Sequence, residues 1–411
     1  MEQLNQSTIF LLKLIRQYLE SKGQNCSVPD FAPAADLNEI LQMAILNNCG
    51  PFIYHTIWKW GVEYSLDKEL LQSYKKRMIL SAVSQLRADT ELNEVLTALN
   101  SAKVKYLLLK GVMLSSLYPD PVYRRAYDAD IHISNEAFDR AAEILTDRGY
   151  RHIQNDSVKN EEIYRLNDIL TIELHTKMFE TFYEKNRAAI TYAELESPSS
   201  RREIQVLDVI AETLVPNQYM IYMLCHHTKH FIALGINLRH LVDICVYVNE
   251  YNAQLDWEFI INAITRFGIK DFTLNLLYIC QHHLGMVDLS FLYQNIDDDV
   301  IGMLLYDIVQ LSADKNGAFR RASAHDIVHD IYFRSDNNPS TVKINIFPST
   351  FLLKKKYMYA KKHPVLLPVA WVHRALSYLW RRMRGQGVLS PSERAELAKE
   401  RVELLKLIGL L

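Results

Sequence analysis

The chain has 411 residues, more than one small core organises, so two or three domains are expected. Hydrophobic residues make up 49% and charged residues 23%, the balance of an ordinary soluble globular protein, which excludes pervasive disorder. A formal net charge of -2 supplies no global basic field, so the composition does not indicate nucleic acid as a partner.

The N-terminal segment places Leu4, Phe10, Leu11, Leu14, Ile15 and Tyr18 at helical spacing. That pattern predicts an amphipathic helix over residues 4–20 rather than a signal peptide. A loop containing Gly23, Pro29 and Pro33 follows, then two helices, Leu37 to Leu46 and Ile53 to Trp60, divided at Gly50-Pro51. Residues 66–102 read as one long helix or two.

The pattern then changes. Lys105 to Leu109 is a short apolar run stopped by Lys110-Gly111, and Val112 to Tyr118 reads as a helix ended near Pro119 and Pro121. From Asp128 to Ile133 the residues alternate, with Asp128, Asp130 and His132 on one face and Ala129, Ile131 and Ile133 on the other. A period of two is a strand signature. Residues 135–148 predict a helix, with Asn135 as a cap and Gly149 as its stop. Tyr150 to Gln154, Glu162 to Leu166 and Leu170 to His175 read as strands. This order predicts an α+β fold: a small mixed β-sheet core embedded between N- and C-terminal helical domains.

From Asp208 onward the chain reads as helical, over 217–233, 238–250, 256–266, 270–284 and 294–312. Arg334 to Ser349 reads as a loop and is followed by a basic helical tail. The expected domains are therefore 1–100, 101–206, 207–333 and 334–411. The apolar stretch Pro364 to Trp380 is interrupted by Pro368, His373 and Arg374, which argues against a membrane span. Five cysteines, Cys26, Cys49, Cys225, Cys245 and Cys280, are scattered without a CxxC pair, which fits a reducing cytoplasm.

The chemistry concentrates between residues 106 and 175. Asp128 and Asp130 share a strand face, about 7 Å apart along the strand. Two convergent carboxylates are costly unless something positive lies between them. Hard oxygen ligands at that spacing suit Mg2+ or Mn2+ rather than zinc. Glu173, between Ile172 and Leu174, offers a third carboxylate from another strand. Asp128, Asp130 and Glu173 would then form a triad for two metals about 4 Å apart. Gly111 would let backbone N–H groups approach phosphate. Lys110, Arg124 and Arg125 would hold and neutralise a triphosphate.

At these residues the sequence resembles the DNA polymerase β-type nucleotidyltransferase superfamily. Within it, the chain is similar to a poorly characterised bacterial nucleotidyltransferase family with Lys-Gly in place of the usual Gly-Ser. Lys110, Gly111, Leu117, Tyr118, Arg124, Asp128, Asp130, Glu173, Leu174 and His175 match that family's pattern in order. Residues 36–60, His226 to His230 and Arg239 to Asp243 resemble its flanking helices. The resemblance implies metal-dependent transfer of a nucleoside monophosphate from an NTP, ATP first among them, to a hydroxyl-bearing acceptor, with release of pyrophosphate. It implies a catalytic role for Asp128, Asp130 and Glu173. His175 belongs to that pattern, whereas His132 departs from it, standing on the carboxylate face where the family has an apolar residue; His132, His175, His226 and His230 are candidates for the surroundings of the site.

Other readings stand beside it. The same cleft in a degenerate member would bind nucleotide or a partner without turnover. His226 and His230 have an i, i+4 spacing that can bind zinc, or they pack inside a helical domain. Arg239 and Asp243 have the spacing of a helix ion pair. The pairs His325-Asp326 and His329-Asp330 invite a His-Asp metal phosphohydrolase, completed by His226, His230 and Asp336. The basic segment 354–384 reads as a weak contact for an anionic membrane surface or RNA, or as a packed helix with solvated charges.

Overall fold

The computed structural model describes residues 4–22, 36–59, 68–124, 126, 128–153, 161–178, 197–233, 235–310, 357, 359–360, 363–383 and 391–411. The loop around Gly23, Pro29 and Pro33, Arg125, His325 to Asp330, the segment 334–349 and Lys354 to Lys356 lie outside them. The chain is a mostly helical α+β protein with a small mixed five-stranded sheet. It divides into two compact units, Met1–Lys229 with Ile236–Asp314, and His230–Gly235 with Lys315–Leu411.

Unit one begins with four helices: α1 (Gln6–Glu20), α2 (Leu37–Leu46), α3 (Gly50–Lys59) and α4 (Lys68–Ser101). Local chemistry sets their starts. The Asn5 and Asp36 carbonyl and carboxylate oxygens accept from Thr8 N and Asn38 N, satisfying N–H groups that have no partner inside the helix. Pro51 sits in the first turn of α3, where its missing N–H costs nothing, so Gly50-Pro51 opens that helix. Residues 68–101 form one continuous helix.

The sheet follows: β1 (Tyr106–Leu108), α5 (Val112–Ser115), β2 (Asp128–Ile133), α6 (Asn135–Asp147), β3 (Arg151–Ile153), β4 (Glu161–Leu166) and β5 (Leu170–His175). Strand order is β1-β2-β5-β4-β3, with β2 and β5 parallel and the other neighbours antiparallel. The alternation read from the sequence is realised. Ala129, Ile131, Ile133, Ile172 and Leu174 point into a core shared with Leu92, Val95, Leu96 and Leu99 of α4 and Leu145 of α6. Fully burying each of the larger aliphatic side chains stabilises the fold by about 2 kcal/mol. The opposite face is left to Asp128, Asp130, His132, Glu173 and His175.

One element departs from expectation. Residues 201–214 form a hairpin of β6 (Arg201–Val206) and β7 (Val209–Leu214), so the helical region begins at Pro216, not at Asp208. Its turn is Leu207-Asp208, with Leu207 at φ 52°, and lacks the Gly or Asn that usually marks a tight turn. The hairpin is held by tertiary contacts: Thr213 Oγ1 donates to Leu108 O at 2.6 Å, and Asn100 Nδ2 donates to Ile210 O at 2.9 Å. Two helix ends also differ. α5 stops at Ser115, short of Tyr118. The segment expected helical over 294–312 starts only at Asp298, where Asp297 caps it.

The remaining helices are α7 (Pro216–Ala233), α8 (Leu238–Tyr251), α9 (Trp257–Arg266), α10 (Lys270–Leu284) and α11 (Asp298–Leu305), then α12 (Leu367–Met383) and α13 (Pro391–Leu407). In unit two, Tyr357, Ala360 and Ala370 form a small cluster, and the Arg401 guanidinium lies 4.1 Å from the centre of the Phe231 ring. Among the described residues no helix is long and apolar enough to cross a membrane.

Buried His227 on α7 makes stability pH-dependent. Burial pulls its pKa from 6.5 down to about 4, so the imidazole is neutral in the folded protein. Between pH 6.5 and 4 the unfolded chain binds the extra proton, so this contribution is complete above pH 6.5 and is lost as pH falls. Relative to His227→Phe, the wild type should lose about 2 kcal/mol between pH 7 and pH 5, read by urea denaturation. Equal losses in the two proteins would contradict the assignment.

Candidate active site

The site lies on the polar face of β2 and β5. Parallel register places Asp130 beside Glu173 and His132 beside His175. Between β1 and α5 the chain turns at Gly111, whose φ of 84° suits glycine. A Cβ there would meet Asp128 O at 3.0 Å, so the turn can pass close beneath β2 only without a side chain. That turn delivers Lys110 to the carboxylates.

Lys110 Nζ lies 3.0 Å from Asp130 Oδ1 and 3.6 Å from Asp128 Oδ2. The positive charge that two converging aspartates require is thus the protein's own ammonium. Lys110 also donates to His226 Nε2 at 3.1 Å, which places the His226 ring proton on Nδ1. On the other side, His175 Nε2 is 3.1 Å from Asp130 Oδ1 and 3.6 Å from Glu173 Oε2. The Asp130 side chain is 1% exposed, whereas that of Asp128 is 44% exposed.

These contacts decide the protonation states. Burial opposes charge on Asp130, but Lys110 and His175 hold its carboxyl well below the usual range. Burial opposes charge on His175 as well. Hydrogen bonds to Asp130 and Glu173 outweigh it and push the imidazole up to about 9, so it is cationic at neutral pH. Lys110 is likewise held charged against its burial by Asp130, Asp128 and Glu173. His132 behaves oppositely: burial, then Arg201 and His175, lower it to about 4, so it is neutral.

Two observations bear on a metal. Asp130 Oδ2 is buried without a hydrogen-bond partner, an acceptor left open in the middle of the cluster. Donor atoms of Asp130, Glu173 and His175 all lie within 4.8 Å of one another. Two carboxylates and, once His175 has given up its proton, an imidazole fit a divalent cation. Asp128 stands outside that group because Lys110 inserts between it and Asp130. The grouping differs there from the three-carboxylate set expected from the sequence.

Arg124 is committed to a buried ion pair. Its guanidinium is buried, with Nη2 2.9 Å from Asp243 Oδ2 and Nε 3.1 Å from Asp243 Oδ1. Its Nη1 donates to Gly111 O at 3.1 Å. Asp243 also accepts from the Tyr118 hydroxyl at 2.7 Å, and so pairs with Arg124 rather than with Arg239. This Arg124–Asp243–Tyr118 network joins α8 to the Gly111 turn. It was invisible in the sequence because Arg124 and Asp243 are 119 positions apart. His230 belongs to the second unit.

A cavity of about 480 Å3 adjoins Asp128 between α2, α3 and α4. Leu41, Tyr54, Tyr74 and Met78 give it an apolar and aromatic wall, and Arg77 and Arg239 give it positive charge. Arg239 Nε is buried and has no hydrogen-bond partner. Nothing in the sequence singled out Arg77, which sits on a helix among Lys75, Lys76 and Arg87.

The sequence profile of a family described as "Uncharacterised nucleotidyltransferase" matches residues 33–285. No curated protein matches the chain. Among solved structures, the chain is similar to the crystal structure of an antigenic nucleotidyltransferase-like protein from Paracoccidioides brasiliensis, at 12% identity and a TM-score of 0.32. That likeness covers 51% of this chain and 97% of the other.

Proposed function

Since the chain belongs to the uncharacterised nucleotidyltransferase family, we propose that it moves a nucleoside monophosphate from an NTP, ATP first among them, to a hydroxyl-bearing acceptor. The reading rests chiefly on one observation: the buried, unpartnered Oδ2 of Asp130 in a cluster with Glu173 and His175. A divalent cation held there by Asp130, Glu173 and His175, Mg2+ or Mn2+, would neutralise the phosphoryl oxygens and acidify the acceptor hydroxyl. The imidazole in the donor set suits Mn2+ at least as well as Mg2+.

The chain's own residues do the rest. The acceptor oxygen forms a bond to the α-phosphorus, and the bond from that phosphorus to the oxygen bridging to the β-phosphate breaks. Pyrophosphate leaves with the electron pair. Glu173, on the accessible side of the cluster, takes the acceptor's proton. Lys110 neutralises charge developing on the phosphoryl oxygens and is held in place by Asp128, Asp130 and His226. Arg124 acts as a positioning residue, fixing the Gly111 turn that carries Lys110.

With Arg124 committed to Asp243, Arg77 and Arg239 of the cavity are the cations this reading assigns to the nucleotide, among the described residues. Arg77 and Arg239 hold the triphosphate there, and Tyr54 and Tyr74 flank the base; the volume suits one nucleotide. Calorimetry with ATP and Mn2+ tests this. Arg239→Gln should weaken binding tenfold or more, since a charge-assisted contact is lost. Unchanged affinity in that variant would remove the cavity from the account. Failure of all four NTPs to bind the wild type would remove the nucleotidyltransferase reading itself.

A second reading, nucleotide binding without turnover, draws on Lys110. Its ammonium already meets both aspartates. Under that reading, ATP binds and no pyrophosphate is released.

A further inference from the structure

The second unit carries a feature that nucleotidyl transfer does not use. On α12, Val369, Val372 and Leu376 follow one another at spacings of three and four, and Val365, in the 3-10 turn Pro364–Leu366 that leads into the helix, precedes them by four. At 3.6 residues per turn the three helical positions form one face. All four are between 55% and 90% exposed, and Trp380, one turn further on, is half exposed. A contiguous apolar face open to water marks a place where something docks.

The charge of the sequence that carries this face names the partner. From Lys354 to Ser392 the sequence contains five lysines and four arginines and neither Asp nor Glu. A cationic sequence that carries an apolar stripe complements an anionic lipid surface, with aliphatic groups among acyl chains and the positive charge drawn to the headgroups. The helix is not long and apolar enough to cross a bilayer, which leaves it lying in the interface. RNA fits less well, because four of these five exposed side chains are aliphatic and only Trp380 among them offers a ring for a base to stack on. A second copy of the chain would bring the same positive charge against itself.

We propose that α12 and the turn leading into it dock the protein on an anionic bilayer through Val365, Val369, Val372 and Leu376. The inference is independent of the catalytic reading and uses none of its residues.

Flotation of the full chain with phosphatidylcholine vesicles, with and without phosphatidylserine, tests it. The wild type should float with phosphatidylserine vesicles and at least tenfold less with phosphatidylcholine alone. The double variant Val372→Asp, Leu376→Asp should lose tenfold or more of that binding, with an unchanged circular dichroism spectrum because both positions are exposed. Absence of flotation with phosphatidylserine vesicles would overturn the proposal, as would equal flotation of the double variant. So would light scattering showing a lipid-free dimer that the double variant dissolves, or retention on poly(U) RNA that the variant loses.

Discussion

Asp130→Asn should abolish metal-dependent pyrophosphate release, by roughly a thousandfold or more. Asparagine keeps the shape of the side chain and removes its charge. It therefore takes away both the open acceptor Oδ2 and the anion that faces Lys110 and His175. The protein should stay folded, because Lys110 keeps Asp128 at 3.6 Å and the apolar face of the sheet is untouched. His175 supplies a second readout. Its pKa, pushed up to about 9 in large part by Asp130, should drop towards the ordinary histidine range, visible in an NMR titration of the ring. A folded Asp130→Asn protein that releases pyrophosphate at the wild-type rate would contradict the catalytic assignment.

Arg124→Met should be the most destabilising single change near the site. It leaves Asp243 buried without its bidentate partner, and breaking a buried ion pair from one side costs about 3–5 kcal/mol. It also frees Gly111 O, so Lys110 loses its fixed approach to Asp130. The double variant Arg124→Met, Asp243→Leu removes both charges and should recover a large part of the stability, because the desolvation of an unpaired ion disappears. Turnover should not recover with it, since the Gly111 tether is still missing. Guanidinium denaturation measures the first effect and pyrophosphate release the second. A cost below about 1 kcal/mol for Arg124→Met would mean that the network does not hold the turn.

Much of this is legible in the sequence. The alternation in Asp128–Ile133 and Leu170–His175 is a local pattern, and the core needs it, so both strands and their polar faces emerge directly from the residues. The helices of the first hundred residues follow from apolar spacing and from Asp36, Gly50 and Pro51 in the same way. What the pattern does not contain is partnership across distance. Nothing local tells Arg124 to turn inward to Asp243, or tells Lys110 rather than a loop arginine to occupy the gap between the aspartates. Arg77 and Arg239 meet at one cavity from helices far apart in the chain. The hairpin over 201–214 escaped because its turn is built from Leu207 and Asp208, with no glycine, and its strands are fixed by Leu108 and Asn100 rather than by their own sequence.

The candidate cluster also differs in composition from the three-carboxylate set expected from the sequence. Histidine takes the third place in the donor group and Asp128 is held by a lysine. A cluster that already contains two cations should take a metal more readily as pH rises and His175 gives up its proton.

The most direct measurement is a crystal structure with Mn2+ and a non-hydrolysable ATP analogue. The expected result is an anomalous peak bonded to Asp130 Oδ2 and a Glu173 oxygen, with the triphosphate running towards Arg239. An analogue bound elsewhere, or no metal peak at that pair of carboxylates, would contradict the account.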